Sequence, residues 1–82
     1  MRRKNNIFPN SVVVERLHEQ YKRGTRVELV SMNDPFTSLR PGDRGTVSFV
    51  DGIGTIFVNW DSGSTLGVVY GEDHVRVITD NN

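Results

Sequence analysis

Residues Pro41–Ser64 read PGDRGTVSFVDGIGTIFVNWDSGS, and the period of this stretch decides the fold. Thr46–Val50 and Thr55–Trp60 each alternate side chains in the manner of a strand, with Ile56, Val58 and Trp60 on one face. Asp51-Gly52-Ile53-Gly54 between them has the composition of a tight hairpin, and Asp61-Ser62-Gly63 supplies the next turn. Working outward towards the C-terminus, a strand is expected over Ser64–Val69, a turn over Tyr70-Gly71-Glu72-Asp73, and a last strand over His74–Ile78. Towards the N-terminus, Arg26–Ser31 alternates with Val27 and Leu29 on one face. A polar loop containing Pro35, Pro41 and Gly42 then runs from Met32 to Asp43.

Ahead of the first strand the period changes from two to about 3.6. Val13, Val14, Leu17 and Tyr21 recur at three- and four-residue spacing, Asn10 or Ser11 can cap the start, and Gly24 can end the run. Glu15 and Glu19 towards the start, with Lys22 and Arg23 at the end, suit the helix dipole. A helix over residues 10–23 is expected, docked on the strands because it is too short to be stable alone. The expected organisation is a basic arm over 1–9, the helix over 10–23, a β-barrel over 24–78 and a polar tail over 79–82.

With 82 residues, 35% of them hydrophobic, the chain can build one modest core and no two-domain cofactor cleft. Five short strands joined by one long loop and tight turns predict a mainly β fold, a small five-stranded antiparallel SH3-like barrel preceded by one short α-helix. Closure would also remove the exposed edges of so short a sheet. An OB-fold would need a helix after the third strand, and none fits between Trp60 and Ser64. There is no cysteine, which excludes disulfides, zinc-thiolate sites and thiol catalysis. No apolar run approaches the roughly 20 residues of a membrane span. Arg2-Arg3-Lys4 leads into Asn5-Asn6 rather than an apolar stretch, so a cytoplasmic location is expected, with no membrane partner. The net charge of zero hides an asymmetry: residues 1–26 carry seven cations against two carboxylates, and residues 27–82 carry three against eight.

The segments Gly24–Phe36 (GTRVELVSMNDPF), Pro41–Ser64 and Tyr70–Ile78 (YGEDHVRVI) together resemble a small family of unknown function. That family occurs in Gram-positive bacteria, their phages and their conjugative elements. The resemblance covers roughly residues 10–78 and implies a single SH3-like domain behind a short helix. The core GTV…G-x-I-x-V-x-W-D-x-G is also similar to an SH3-like module of eukaryotic ubiquitin ligases that binds protein partners. The resemblance implies fold and genomic setting and assigns no catalytic or binding residue.

Read from the residues, catalysis has little to stand on. His74 adjoins Glu72 and Asp73, but neighbours on a strand point to opposite faces, and Asp61–Gly63 is no nucleophile elbow. The glycine pairs Gly42/Gly45 and Gly52/Gly54 lie between strands, where turn chemistry explains them and phosphate cradling does not. No enzyme, catalytic residue, metal or cofactor is therefore expected. Binding residues are expected on the long loop and the barrel rim: Asp34, Phe36, Arg40, Trp60 and Tyr70. Asp34-Pro35 suits an Asx turn, and Phe36 and Leu39 have no evident core position. Trp60 belongs partly to the core, with its indole edge at the rim. Phe57 should face outward unless covered, where it could serve a homo-oligomer contact. Arg40, Arg44 and Arg76 are expected to pair with the surrounding carboxylates.

The expected function is a non-enzymatic binding module, encoded by a phage or mobile element, that docks on a host protein and inhibits or redirects host machinery or defence. One alternative is a nucleic-acid-binding accessory protein using Arg2, Arg3 and Lys4 of the basic arm. Another is sequestration of a small anionic or nucleotide ligand.

Overall fold

The computed structural model describes residues 10–78. Helix α1 spans Ser11–Gln20 and is followed by β1 (Arg26–Ser31), β2 (Arg44–Val50), β3 (Ile56–Trp60) and β4 (His74–Val77). The strands form one antiparallel sheet in the order β3-β2-β1-β4. The expected basic arm and polar tail, including Arg2, Arg3 and Lys4, lie outside the described residues.

The β2–β3 hairpin turn follows from its residue types. Asp51 Oδ1 accepts from the backbone N–H of Ile53 (3.1 Å) and Thr55 (2.9 Å), while Gly54 takes φ 90° to close the loop. This fixes the β2–β3 register, in which Val47 faces Val58 and a bulge then brings Phe49 opposite Phe57. Gly45 is required by proximity: a Cβ there would meet Val58 Cγ1 at 2.5 Å and the Asn59 carbonyl oxygen at 2.9 Å. The inward faces of the strands deliver Val27, Leu29, Val47, Val50, Ile56, Val58 and Trp60 to one core, which Val68 completes.

Helix α1 is capped as expected, with the Asn10 side chain accepting from the Val13 N–H at 3.0 Å. Leu17, 7% exposed, and Tyr21 enter the core, and Val13 packs against it. His18 Nε2–H donates to the Asp51 carbonyl at 3.3 Å, tying the helix to the β2–β3 loop. The helix ends three residues earlier than expected. Tyr21 leaves helical geometry (φ −113°, ψ 64°), and a turn with Thr25 N–H bonded to the Lys22 carbonyl follows. Lys22 and Arg23 therefore lie beyond the helix, and its first turn contains no acid, so the anticipated match to the dipole is not made.

The expected strand over Ser64–Val69 is reduced to a single bridge, Ile56 with Val68. Its ends do lie against β3: Trp60 N–H bonds the Ser64 carbonyl (2.9 Å), and Ile56 and Val68 exchange both backbone bonds (2.9 and 2.8 Å). Between them the Trp60 indole N–H takes the Leu66 carbonyl at 2.9 Å, so a side chain replaces the ladder there. Among the described residues the regular sheet therefore has four strands and is open, rather than the expected closed barrel of five. Among the described residues no helix is long and apolar enough to cross a membrane.

Candidate functional site

The long loop between β1 and β2 is held along most of its length. Asp34 Oδ1 accepts from Phe36 N–H at 2.9 Å, the Asx turn read from the sequence, and Thr37 N–H reaches the Asp34 carbonyl at 3.3 Å. Thr37 Oγ1 accepts from Leu39 N–H at 3.1 Å, and Asp43 Oδ2 accepts from Arg40 N–H at 3.0 Å. Gly42 N–H donates to the Leu29 carbonyl at 2.8 Å, fastening the loop to β1. Leu39, which had no evident core position in the sequence, is 6% exposed and belongs to the core. It pins the loop from below.

Phe36 has the opposite fate and is 94% exposed. A bare phenylalanine thus stands on a segment whose backbone is already fixed. Arg40, four residues further along the loop, is exposed, and its guanidinium has no partner among the described residues. The expected pairing of cations with carboxylates holds instead for Arg44 and Arg76. They share Glu28 Oε1 at 3.3 and 3.1 Å. Arg26 grips Asp61 with two bonds of 2.8 and 2.7 Å. That grip, a charge-assisted hydrogen bond first and Coulomb attraction second, holds the Asp61 carboxyl below the ordinary aspartate range.

Trp60 is 3% exposed, and its one donor is spent on Leu66, so its indole offers no free edge at the surface. Tyr70 is exposed and lines a cavity of about 400 Å³ between α1 and the start of β4. Leu17, Tyr21, Ile56, Val68 and Val75 make most of its wall apolar. Burial raises the Tyr21 phenol above the ordinary tyrosine range. Asp34 lies on a second cavity, about 210 Å³, with Met32, Leu66, Val69 and Glu72. The five expected binding residues are thus dispersed: Phe36 and Arg40 on the loop crest, Asp34 and Tyr70 on separate cavities, Trp60 in the core.

Asp73 lies between the two cavities, whereas in the sequence it reads only as the end of a turn and as a neighbour of His74. It is 9% exposed, and its two oxygens accept from Asn33 N–H at 2.8 Å and Val69 N–H at 2.9 Å. One carboxylate therefore joins the long loop, the segment after the bridge and the start of β4. The signal for it was its place, an acid directly after a glycine turn and before a strand, where backbone donors need an acceptor. On the outer face Phe57 stacks on Phe49 with centroids 4.6 Å apart, and its ring also covers Gly67. Phe57 is thereby half-buried by its own chain. Among the described residues no group of His, Cys, Asp and Glu is arranged to hold a metal ion.

The sequence model of the family described as Domain of unknown function (DUF4314) matches residues 10–78, and the chain belongs to that family. No curated protein and no solved structure matches it.

Proposed function

We propose that this member of the DUF4314 family is a non-enzymatic binding module that docks on a host protein through the loop carrying Phe36. The observation that carries the reading is the pairing of a 94% exposed phenylalanine with a loop already fixed by Asp34, Leu39 and Asp43. Burying a phenylalanine side chain is worth about 1.5–3 kcal/mol. A segment ordered in advance loses little entropy when it binds. Arg40, exposed on the same loop, adds a directional cation at the rim of such a contact.

An SH3-like plan supports the same reading. With Ser64–Val68 counted as an irregular strand beside β3, the spatial order becomes that segment, β3, β2, β1 and β4. The long loop then takes the place that flanks the ligand groove in SH3-like domains. The resemblance to phage and conjugative-element proteins supports a role in blocking or redirecting host machinery in the cytoplasm.

The test is affinity capture from a host lysate, with and without nuclease, using the wild-type chain and Phe36→Ala. The expected result is a protein that survives nuclease and is lost with Phe36→Ala. At tenfold per 1.4 kcal/mol, the affinity should fall about 10- to 100-fold. Capture of nucleic acid that depends on Arg2, Arg3 and Lys4 would favour the basic arm instead.

A further inference from the structure

The open side of the sheet has a chemistry of its own. The Ile78 N–H donates to the Arg26 carbonyl at 3.0 Å, and Glu28 faces Arg76, with Val27 opposite Val77 and Leu29 opposite Val75. In an antiparallel ladder hydrogen-bonded and non-hydrogen-bonded pairs alternate. The pairs 26/78 and 28/76 are therefore the bonded ones, and the peptide groups of Val75 and Val77 point away from β1. Among the described residues nothing bonds them. Neither a proline nor a lysine blunts this edge.

We infer that the free edge of β4 is a second docking site, which accepts an extended peptide strand with apolar residues alternating with carboxylates. Only an extended backbone presents donors and acceptors at the spacing that Val75 and Val77 require. The alternation follows from the two faces of β4. On the inner face Val75 borders the cavity of about 400 Å³ walled by Leu17, Tyr21 and Val68, and the residue opposite Val75 places an aromatic or branched side chain there. On the outer face His74 and Arg76 are exposed, and Arg44 shares with Arg76 the single carboxylate of Glu28. The residue opposite Arg76 is matched by glutamate, since opposite charges on directly facing positions stabilise a strand pair, and a glutamate opposite His74 can accept a hydrogen bond from its ring N–H. This site is separate from the Phe36 loop and stands or falls apart from it.

The probe is the peptide acetyl-Thr-Val-Glu-Phe-Glu-Thr-amide, aligned so that Phe faces Val75 and Val faces Val77. Amide exchange and chemical shifts of the full-length protein are followed by NMR as it is added. At saturation the Val75 and Val77 amides should exchange about tenfold more slowly, with shifts at Leu17 and Tyr70. N-methylation of the peptide's Val and Phe should abolish the effect, and replacing both glutamates by lysine should weaken binding at least tenfold. Unchanged Val75 and Val77 amides at millimolar peptide, or equal binding by the N-methylated peptide, would overturn the proposal. Concentration-dependent protection of the same amides without peptide would also overturn it, assigning the edge to a second copy of the chain.

Discussion

Replacing Asp73 by alanine should be among the most damaging single changes in this domain outside the apolar core. The carboxylate satisfies the N–H groups of Asn33 and Val69 at 2.8 and 2.9 Å, in a residue only 9% exposed. Leaving a buried donor without a partner costs about 1–3 kcal/mol. Two donors are orphaned, but both bonds are only part-buried, Asn33 and Val69 are themselves exposed, and both cavities beside Asp73 can admit water, so the expected loss is about 2–4 kcal/mol. For a domain of this size each kcal/mol moves the melting midpoint by about 4–8 °C, giving a fall of roughly 10–30 °C. Thermal unfolding followed by circular dichroism measures this directly. Asp73→Asn should recover at most one of the two bonds, because its NH2 group would face a donor, and should melt between wild type and Asp73→Ala. An Asp73→Ala midpoint within about 3 °C of wild type would show that the carboxylate does not brace the loop and β4.

Three further outcomes follow from the packing and the charges. Leu17→Ala should cost about 2–5 kcal/mol in urea unfolding, because the side chain is the helix's main buried anchor; an unchanged midpoint would mean that α1 contributes nothing to stability. Gly45→Ala should cost about 1–3 kcal/mol, since its Cβ would strike Val58 and the β3 backbone, and a neutral result would show that β2 and β3 can separate freely there. The Asp61 carboxyl should titrate below the ordinary aspartate range by NMR and move up in Arg26→Met. Because its folded pKa is depressed, its contribution to stability is present above the unfolded value of about 3.9 and is lost as pH falls through the folded value. A titration midpoint unaffected by Arg26→Met would remove the Arg26 grip as its cause.

What could be read in the sequence was local. The DGIG turn and the alternation of Thr46–Val50 and Thr55–Trp60 predict both strands of the β2–β3 hairpin because each is specified within a few residues. The helix overran because Lys22 and Arg23 are adequate helix formers. What pulls the chain away is the bond from Gly24 N–H to the Val47 carbonyl at 2.9 Å, which links residues far apart in sequence. The missing strand has the same origin: Ser64–Val69 has a strand-like composition, and only the position of the Trp60 indole shows that a side chain takes the Leu66 carbonyl. At the candidate site, Phe36 was legible as an aromatic in a polar loop. Leu39 beside it was not, because burial of one and exposure of the other depend on how Gly42 fastens the loop to β1. The bracing role of Asp73 was not legible because, although Val69 lies four residues away, its other partner Asn33 lies forty away.

The docking claim is tested most directly by placing a photo-crosslinking benzophenone amino acid at position 36 and irradiating the chain in its host. Phe36 is almost fully exposed, so the replacement leaves the fold intact, which the melting midpoint verifies. The same amino acid at Asn59, exposed on the outer face of β3, serves as the reference position. A discrete, nuclease-resistant protein adduct is expected from position 36 and none of the same mass from position 59. An adduct from position 59 alone, or no adduct from a folded chain labelled at position 36, would contradict docking through Phe36.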